Sequence, residues 1–241
     1  MISEIQNLEL KIIKEINDIA VSFDLKYSLA YGSVLGSVRH KGFIPWDTDI
    51  DIMVSSDEYD NFCKVIKTNL SSEFEIKYYK HDKTYSSFKA RVYIKNGVNE
   101  NVHVDIFPLA STRNNGFISN IKRFFLYVVY RLYFIKKVER SAVDNYSKMK
   151  KIQFLSIRML LLFIPSFLLI KIFERYNKSF NNHDYFFNIC GSYGKREFII
   201  KEFYLNTVLA NFENLQLPIP KDYHLYLNQM YGDYMTPKKN N

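Results

Sequence analysis

The stretch Tyr31-Gly32-Ser33-Val34-Leu35-Gly36-Ser37-Val38-Arg39-His40-Lys41-Gly42-Phe43-Ile44-Pro45-Trp46-Asp47-Thr48-Asp49-Ile50-Asp51-Ile52-Met53-Val54 decides how this chain is read. Its last part alternates Asp49 and Asp51 with Ile50 and Ile52. Residues two apart in a β-strand point to the same face, so the two carboxylates project together. Like charges side by side among Ile and Val repel and are partly desolvated, and a divalent cation relieves both costs. Upstream, Tyr27–Tyr31 reads as a strand ending in a Gly32-Ser33 turn, followed by a short helix over Val34–Arg39. Strand, turn, helix and acid-bearing strand together predict a phosphate cradle of helix-N-terminal amides facing a carboxylate pair. A bare Asp-x-Asp is common on solvated strands, so its surroundings carry the weight.

The chain has 241 residues, 47% hydrophobic and 17% aromatic, with few Gly and Pro, which excludes wholesale disorder. That length suits one domain with a helical appendage. A net charge of +8 favours nucleotides, other polyanions or an anionic membrane surface, without choosing among them. Cys63 and Cys190 make no disulfide framework and suit a reducing compartment. Met1-Ile2-Ser3-Glu4-Ile5 is no basic leader, so the chain is expected to stay in the cytoplasm.

Ile5, Leu8, Ile12, Ile16, Ile19 and Phe23 recur at helical spacing and predict a packing helix. Ser55 with Glu58 reads as a capping box for a helix burying Tyr59, Phe62, Cys63, Ile66 and Leu70, with Cys63 in the core. Phe74–Tyr79 is a further strand. Phe88–Ile94 and Val102–Phe107 alternate around Asn96-Gly97 and predict a β-hairpin. One face of that hairpin is apolar; the other carries Lys89, Arg91, Tyr93, His103, Asp105 and Phe107. From Phe117 to Lys178 the chain turns aromatic and basic. Ile121, Phe124, Phe125, Val128, Val129, Leu132 and Ile135 form the apolar face of one amphipathic helix. The run Met159–Ile170 falls well short of the ~20 apolar residues a membrane span needs, so it packs internally or lies in an interface.

The run from Gly32 through Asp49-Ile50-Asp51-Ile52 resembles the signature of the LicD family of phosphocholine and alditol-phosphate transferases, which are related to fukutin. The resemblance implies an α+β fold of the DNA polymerase beta nucleotidyltransferase type: a mixed sheet with flanking helices, here joined by a basic, aromatic helical lobe. Thr48 stands where the family usually shows a further Asp. Val104-Asp105-Ile106-Phe107-Pro108-Leu109 matches a second family motif and implies that Asp105 joins Asp49 and Asp51 in holding Mg2+, as two ions with Mn2+ as a substitute, and serves as base for an acceptor hydroxyl. Phe212–Leu227 and Tyr231-Gly232-Asp233-Tyr234-Met235 resemble the family's closing segment, though Asp233 acquires no chemistry from its residues; Gly191-Ser192-Tyr193-Gly194 is a weaker match. The implied donor is CDP-choline or a CDP-alditol. The implied acceptor is a glycan or lipid-linked glycan of lipopolysaccharide, teichoic acid or capsule, with CMP released and no nucleic acid engaged.

The remaining candidates each have two readings. Lys89 and Arg91 either neutralise a diphosphate or balance acids on a solvated face. Arg39, His40 and Lys41 before Gly42 either contact substrate phosphate or form a helix C-terminus with its cap. Trp46 stacks on a base or packs beside Pro45. Three segments are expected: a catalytic core over 1–112, a basic aromatic helical region over 113–190 that is peripheral on a membrane, and a C-terminal segment over 191–241 packing back on the core. Two rival functions remain open: a nucleotidyltransferase attacking the α-phosphate of a nucleoside triphosphate, and a non-catalytic membrane-tethered scaffold.

Overall fold

The computed structural model describes residues 3–82, 84–95, 102–113, 116–139, 143–178 and 184–236. In chain order these form α1 (Glu4–Ser22), β1 (Ser28–Leu29), α2 (Tyr31–His40), β2 (Ile50–Ser55), α3 (Tyr59–Asn69), β3 (Phe74–Lys77), β4 (Ala90–Ile94), β5 (His103–Thr112), α4 (Phe117–Lys137), α5 (Lys148–Leu160), α6 (Ser166–Lys178), β6 (Tyr185–Asn188), β7 (Phe198–Ile200), α7 (Glu202–Leu205), β8 (Thr207–Phe212), β9 (Leu215–Pro220) and α8 (Tyr223–Tyr231). The fold is α+β.

The main sheet runs β1-β2-β5-β4-β3, and β6 pairs with β5 and β7. Only the β2–β5 pairing is parallel among these contacts. The sheet is therefore mixed. β5 runs to Thr112, five residues beyond the expected strand end, because it changes neighbours: Ala90 of β4 pairs with Ile106, and Asn188 of β6 pairs with Leu109. Pro108 falls at that handover, where a missing N–H costs least. The predicted hairpin is present as β4–β5, although its Asn96-Gly97 turn lies outside the described residues.

Helix α1 starts with a capping box: the Gln6 N–H donates to Ser3 Oγ at 3.1 Å and the Ser3 N–H donates to Gln6 Oε1 at 2.8 Å. Ile12, Ile13, Ile16 and Ile19 face the core, whereas Phe23, the C-cap residue, is exposed. The capping box expected at α3 does not form. Glu58 is the N-cap without a side-chain bond to the helix, since its carboxylate accepts from Ser55 Oγ at 3.2 Å and from the Tyr204 phenol at 2.7 Å. Cys63 is wholly buried, and burial pushes its thiol far above the usual range.

Phe88 is a central contact between the aromatic lobe and the sheet. Phe88 stacks on Phe173 of α6 (centroids 3.8 Å apart) and on Tyr133 of α4 (4.6 Å). Leu126, Val129 and Tyr133 form the core-facing stripe of α4, while Ile121, Phe124 and Phe125 of the predicted apolar face are exposed. Lys122, expected on the polar side, is buried and donates to the Ser111 carbonyl at 3.0 Å. The anchoring stack rotates the helix away from the orientation its hydrophobic pattern suggests. The run Met159–Ile170 breaks at Ile164-Pro165, and α5 and α6 meet at 89°.

The β8–β9 hairpin, which the sequence pattern did not disclose, packs against β1 and α2. Its tip holds the loop after α2: the Glu213 N–H donates to the Lys41 carbonyl at 2.7 Å, and the Phe43 N–H donates to Glu213 Oε1 at 3.0 Å. A Cβ on Gly42 would stand 1.9 Å from that Oε1. Gly42→Ala is expected to displace the carboxylate and cost about 1–2 kcal/mol, the scale of a lost charged hydrogen bond. In a Glu213→Ala background the same change should cost much less, a non-additivity that denaturant titration of the four proteins in the cycle reads directly.

Candidate active site

Parallel pairing of β2 with β5 sets Asp51 directly beside Asp105. Asp49 immediately precedes β2, and Asp47 lies two residues earlier in the loop. All four carboxylates line one cavity of about 360 Å³ together with Tyr31, Gly32 and Lys89. The three acids singled out in the sequence therefore lie on the same side of the sheet.

Each is placed by identifiable contacts. Asp105 is 3% exposed and ion-paired to both Lys89 Nζ and Arg91 Nε, the latter at 2.6 Å. His103 Nε2 stands 3.7 Å away. Lys89 and Arg91 thus do balance an acid, but a buried one and not one on a solvated face. Lys89 faces the cavity and lies 4.9 Å from the centre of the Phe107 ring. Arg91 is not among the cavity-lining residues and orients Asp105 from the side.

The start of α2 differs from expectation. The helix begins at Tyr31, so Gly32 and Ser33 belong to its first turn and do not precede it. Tyr31 has φ +48°, a left-handed conformation that is costly for an aromatic residue, and the Tyr31 N–H donates to the Tyr226 hydroxyl at 3.0 Å. The N–H groups of Ser33 and Val34 donate to the Ala30 carbonyl. The expected amide cradle is thus mostly satisfied within the protein. Gly32 is the residue of this turn whose amide has no acceptor among the described residues. A Cβ on Gly32 would come 2.6 Å from Asp47 Oδ2, so a side chain here would push the Asp47 carboxylate aside. Ser33 is buried behind it and accepts the Asp51 N–H at 2.9 Å, locking helix to strand.

Arg39, His40, Lys41 and Trp46 do not line this cavity. Arg39 and His40 occupy the far end of α2, roughly 13 Å from its start at 1.5 Å per residue. The Arg39 guanidinium donates to the Tyr234 carbonyl at 2.7 Å and to His40 at 2.9 Å. Lys41 is the left-handed C-cap at φ +63°, and Trp46 is 59% exposed. The structure gives the three basic residues helix-terminal surroundings apart from the acids.

Two contributors escape the sequence reading, and a third is there only a weaker family match with no place in the site. Asp47 completes an Asp-x-Asp-x-Asp alternation that was in plain view. Glu9 lies on the buried face of α1, is fully buried, and neither carboxyl oxygen finds a hydrogen-bond partner. Gly191, Ser192 and Tyr193 close the cavity from the C-terminal side. Tyr193 stacks on Tyr31 (centroids 5.4 Å), and the Tyr31 phenol donates to Glu197 at 2.5 Å while accepting from Asn188 Nδ2 at 2.6 Å.

The cavity is electrostatically loaded. Burial, followed by the neighbouring charges of Asp49 and Asp105, holds Asp51 well above the carboxylate range. Burial and the hydrogen bond and charge of Asp49 push Asp47 to about 7. Burial, then Asp49, pushes Glu9 to about 9. An all-oxygen, mutually repelling donor set has the chemistry of a hard divalent-cation site. Among the described residues no three such side chains stand as a ready-made metal-binding group; Asp105 pairs with Lys89 and Arg91, and Asp47 bonds to Asp49.

Because the folded pKa of Asp47 exceeds its unfolded value of 3.8, the folded protein binds the extra proton. Its contribution is fully present below about pH 4 and is lost as pH rises towards about 7. Asp47→Asn should therefore melt roughly 2–4 °C above the parent at pH 7.5, the shift of about 1 kcal/mol after allowance for solvent screening. At pH 4 the two should coincide, in thermal melts without divalent ions.

Residues 24–159 match the model of the family described as "LicD/FKTN/FKRP, nucleotidyltransferase domain". The chain is 26% identical over 246 aligned positions to the lipopolysaccharide cholinephosphotransferase LicD of Haemophilus influenzae, covering 94% of this chain and 88% of that protein. It is 32% identical over 85 residues to an uncharacterised protein of Rickettsia typhi, covering 35% of this chain and 26% of that one. The family match takes in α2, the acid-bearing β2 and β5 of the cavity just described, and the chain belongs to the LicD/FKTN/FKRP nucleotidyltransferase-domain family.

Proposed function

We propose that this protein is a phosphotransferase that moves a substituted phosphate, phosphocholine or an alditol phosphate, from a CDP-linked donor to a hydroxyl of a cell-surface glycan such as lipopolysaccharide, releasing CMP. The observation that carries the reading is the convergence of Asp49, Asp51 and Asp105 with Lys89 on one cavity beside Gly32. The near-full-length similarity to a protein named lipopolysaccharide cholinephosphotransferase supports the transferred group and the acceptor class.

In this scheme the acceptor oxygen forms a bond to the phosphorus distal to cytidine, and the bond from that phosphorus to the bridging oxygen breaks, so CMP leaves with the electron pair. The acceptor proton passes to a carboxylate of the cluster, for which Asp105 is the candidate. Lys89, at the cavity wall, offsets charge on the diphosphate; Arg91 holds Asp105 in place. Asp49, Asp51 and Asp105 are the residues that would hold Mg2+, as two ions or with Mn2+ in substitution, and bound cations would neutralise the phosphate oxygens. The Gly32 amide adds one helix-N-terminal donor.

Asp49→Asn and Asp51→Asn should each lower CMP release from CDP-choline in the presence of Mg2+ by roughly 10²–10³-fold, the cost of removing one preorganised electrostatic group. Circular dichroism should remain that of the parent. Undiminished turnover would remove the mechanism, and pyrophosphate released from CTP in place of CMP would transfer the assignment to nucleotidyl transfer.

The exposed apolar side chains of the helical lobe support a peripheral membrane position. Among the described residues no single helix is long and apolar enough to cross a bilayer, though the bent α5–α6 pair together has the length and composition. At that bend Leu160, Leu162 and Phe163 are 70%, 71% and 87% exposed, flanked by Arg158 and Lys171. Exposed apolar side chains bordered by cations suit an anionic lipid interface. Leu162→Glu with Phe163→Glu should reduce co-sedimentation with phosphatidylglycerol vesicles at least fivefold, on the order of 1 kcal/mol. Unchanged co-sedimentation would count against the membrane position alone.

A further inference from the structure

A second cavity adjoins the acidic one and takes no part in the scheme above. It encloses about 550 Å³ between α4 and the segment following β6, and the two cavities share Cys190, Gly191 and Ser192 in their walls. Where the first is acidic, the second is basic and aromatic. Asn120, Arg123, Tyr127 and Arg131 line it, at the three- and four-residue steps of one face of α4. The Arg123 guanidinium is pre-set: it donates to the Gly194 carbonyl at 3.1 Å and to Asn120 Oδ1 at 3.3 Å, and lies 5.0 Å over the Phe198 ring. Five donors are available on a guanidinium, so these contacts leave capacity for a ligand. Arg131 is exposed at the rim, 5.8 Å from the Phe134 ring, and is in no ion pair among the described residues. Glu197 is the one carboxyl in the described lining. Its oxygens accept from the Tyr31 phenol and the Tyr193 N–H.

We propose that this cavity binds the acceptor by an anionic group carried on its sugar, a phosphate or a carboxylate held by Arg123 and Arg131, with the sugar against Tyr127 and the reacting hydroxyl delivered past Gly191-Ser192 to the acidic cavity. The proposal rests on the phosphotransferase reading only for the existence of a glycan acceptor. One observation favours the acceptor over the nucleotide half of the donor: the rim residue Phe124 is 68% exposed and Ile121 beside it on α4 is exposed too, so the cavity mouth opens onto apolar surface of the kind a lipid-linked ligand would meet.

Binding of glucose 6-phosphate and of glucuronate to the full chain, followed by calorimetry, tests this. One of the two should bind, which decides between phosphate and carboxylate, and Arg131→Gln and Arg123→Gln should each weaken it by about tenfold or more, the loss of a charged hydrogen bond. Arg123→Lys should restore part of the loss. CDP-choline affinity should stay within twofold of the parent in every variant. Arg131 is exposed, so its variant keeps the question open to measurement even if Arg123→Gln unfolds. Binding of neither probe, binding indifferent to both arginines, or a parallel fall in CDP-choline affinity would overturn the assignment. Arginine-dependent probe binding in a protein that releases no CMP from CDP-choline would leave this site standing while the transfer reaction falls.

Discussion

One backbone pairing governs this protein: the parallel alignment of β2 with β5 that sets Asp51 against Asp105. Like charges directly opposed across strands destabilise a sheet, and burial makes the opposition worse. The fold meets the cost on both sides. Antiparallel pairing of β4 with β5 brings Arg91 opposite Asp105, and Lys89, two residues earlier, adds a second cation. On the β2 side Asp51 forms no ion pair among the described residues and feels Lys89 only as a weaker influence, and Asp47 and Asp51 retain protons to higher pH instead. The unequal treatment leaves a site with one neutralised carboxylate and several that invite a cation.

The acids lie on a loop and strand start that have little structure of their own, so the two ends of the chain hold them. Gln6 Nε2 of α1 donates to the Asp47 carbonyl at 2.8 Å. Glu213, some 170 residues on, accepts the Phe43 N–H. Ser33 ties α2 to β2 through the Asp51 amide, and Gly32 gives Asp47 room. Strain at Tyr31 is borne by the hydroxyl of Tyr226 below its amide and by Glu197 and Asn188 at its phenol. Such concentrated strain and charge are what functional sites retain at the expense of stability.

Beyond the sheet, the helical lobe is part of the same hydrophobic core through the Phe88 stack, yet it turns a large apolar surface outward. One helix, α4, serves both ends: its Leu126–Tyr133 stripe packs inward, and its Asn120–Arg131 face lines the basic cavity. The basic cavity and the acidic cavity meet at Cys190, Gly191 and Ser192, which line both.

Local sequence was sufficient for several elements and for three of the acids. Helical spacing of the Ile residues gave α1, alternation gave β4 and β5 and the face on which Asp105 lies, and the Asp49–Asp51 step gave the shared direction of two carboxylates, because these patterns report the 3.6- and 2-residue periods of the backbone itself. Asp47 was equally legible, as a third step in the same alternation. Other features depended on contacts between segments far apart in sequence, which no local period encodes. The extension of β5 needed β6, the rotation of α4 needed Phe88, the helix-terminal role of Arg39 needed Tyr234, and the closing wall needed Gly191-Ser192-Tyr193 to return to the acids. Glu9 reads in sequence as a polar residue on a surface helix; only packing of α1 beneath the acidic loop made it a buried, unpartnered carboxyl. Which acids lie together was written in the chain's alternation, whereas which cations answer them and which cavity adjoins them was decided by how the sheet and the helical lobe close on each other.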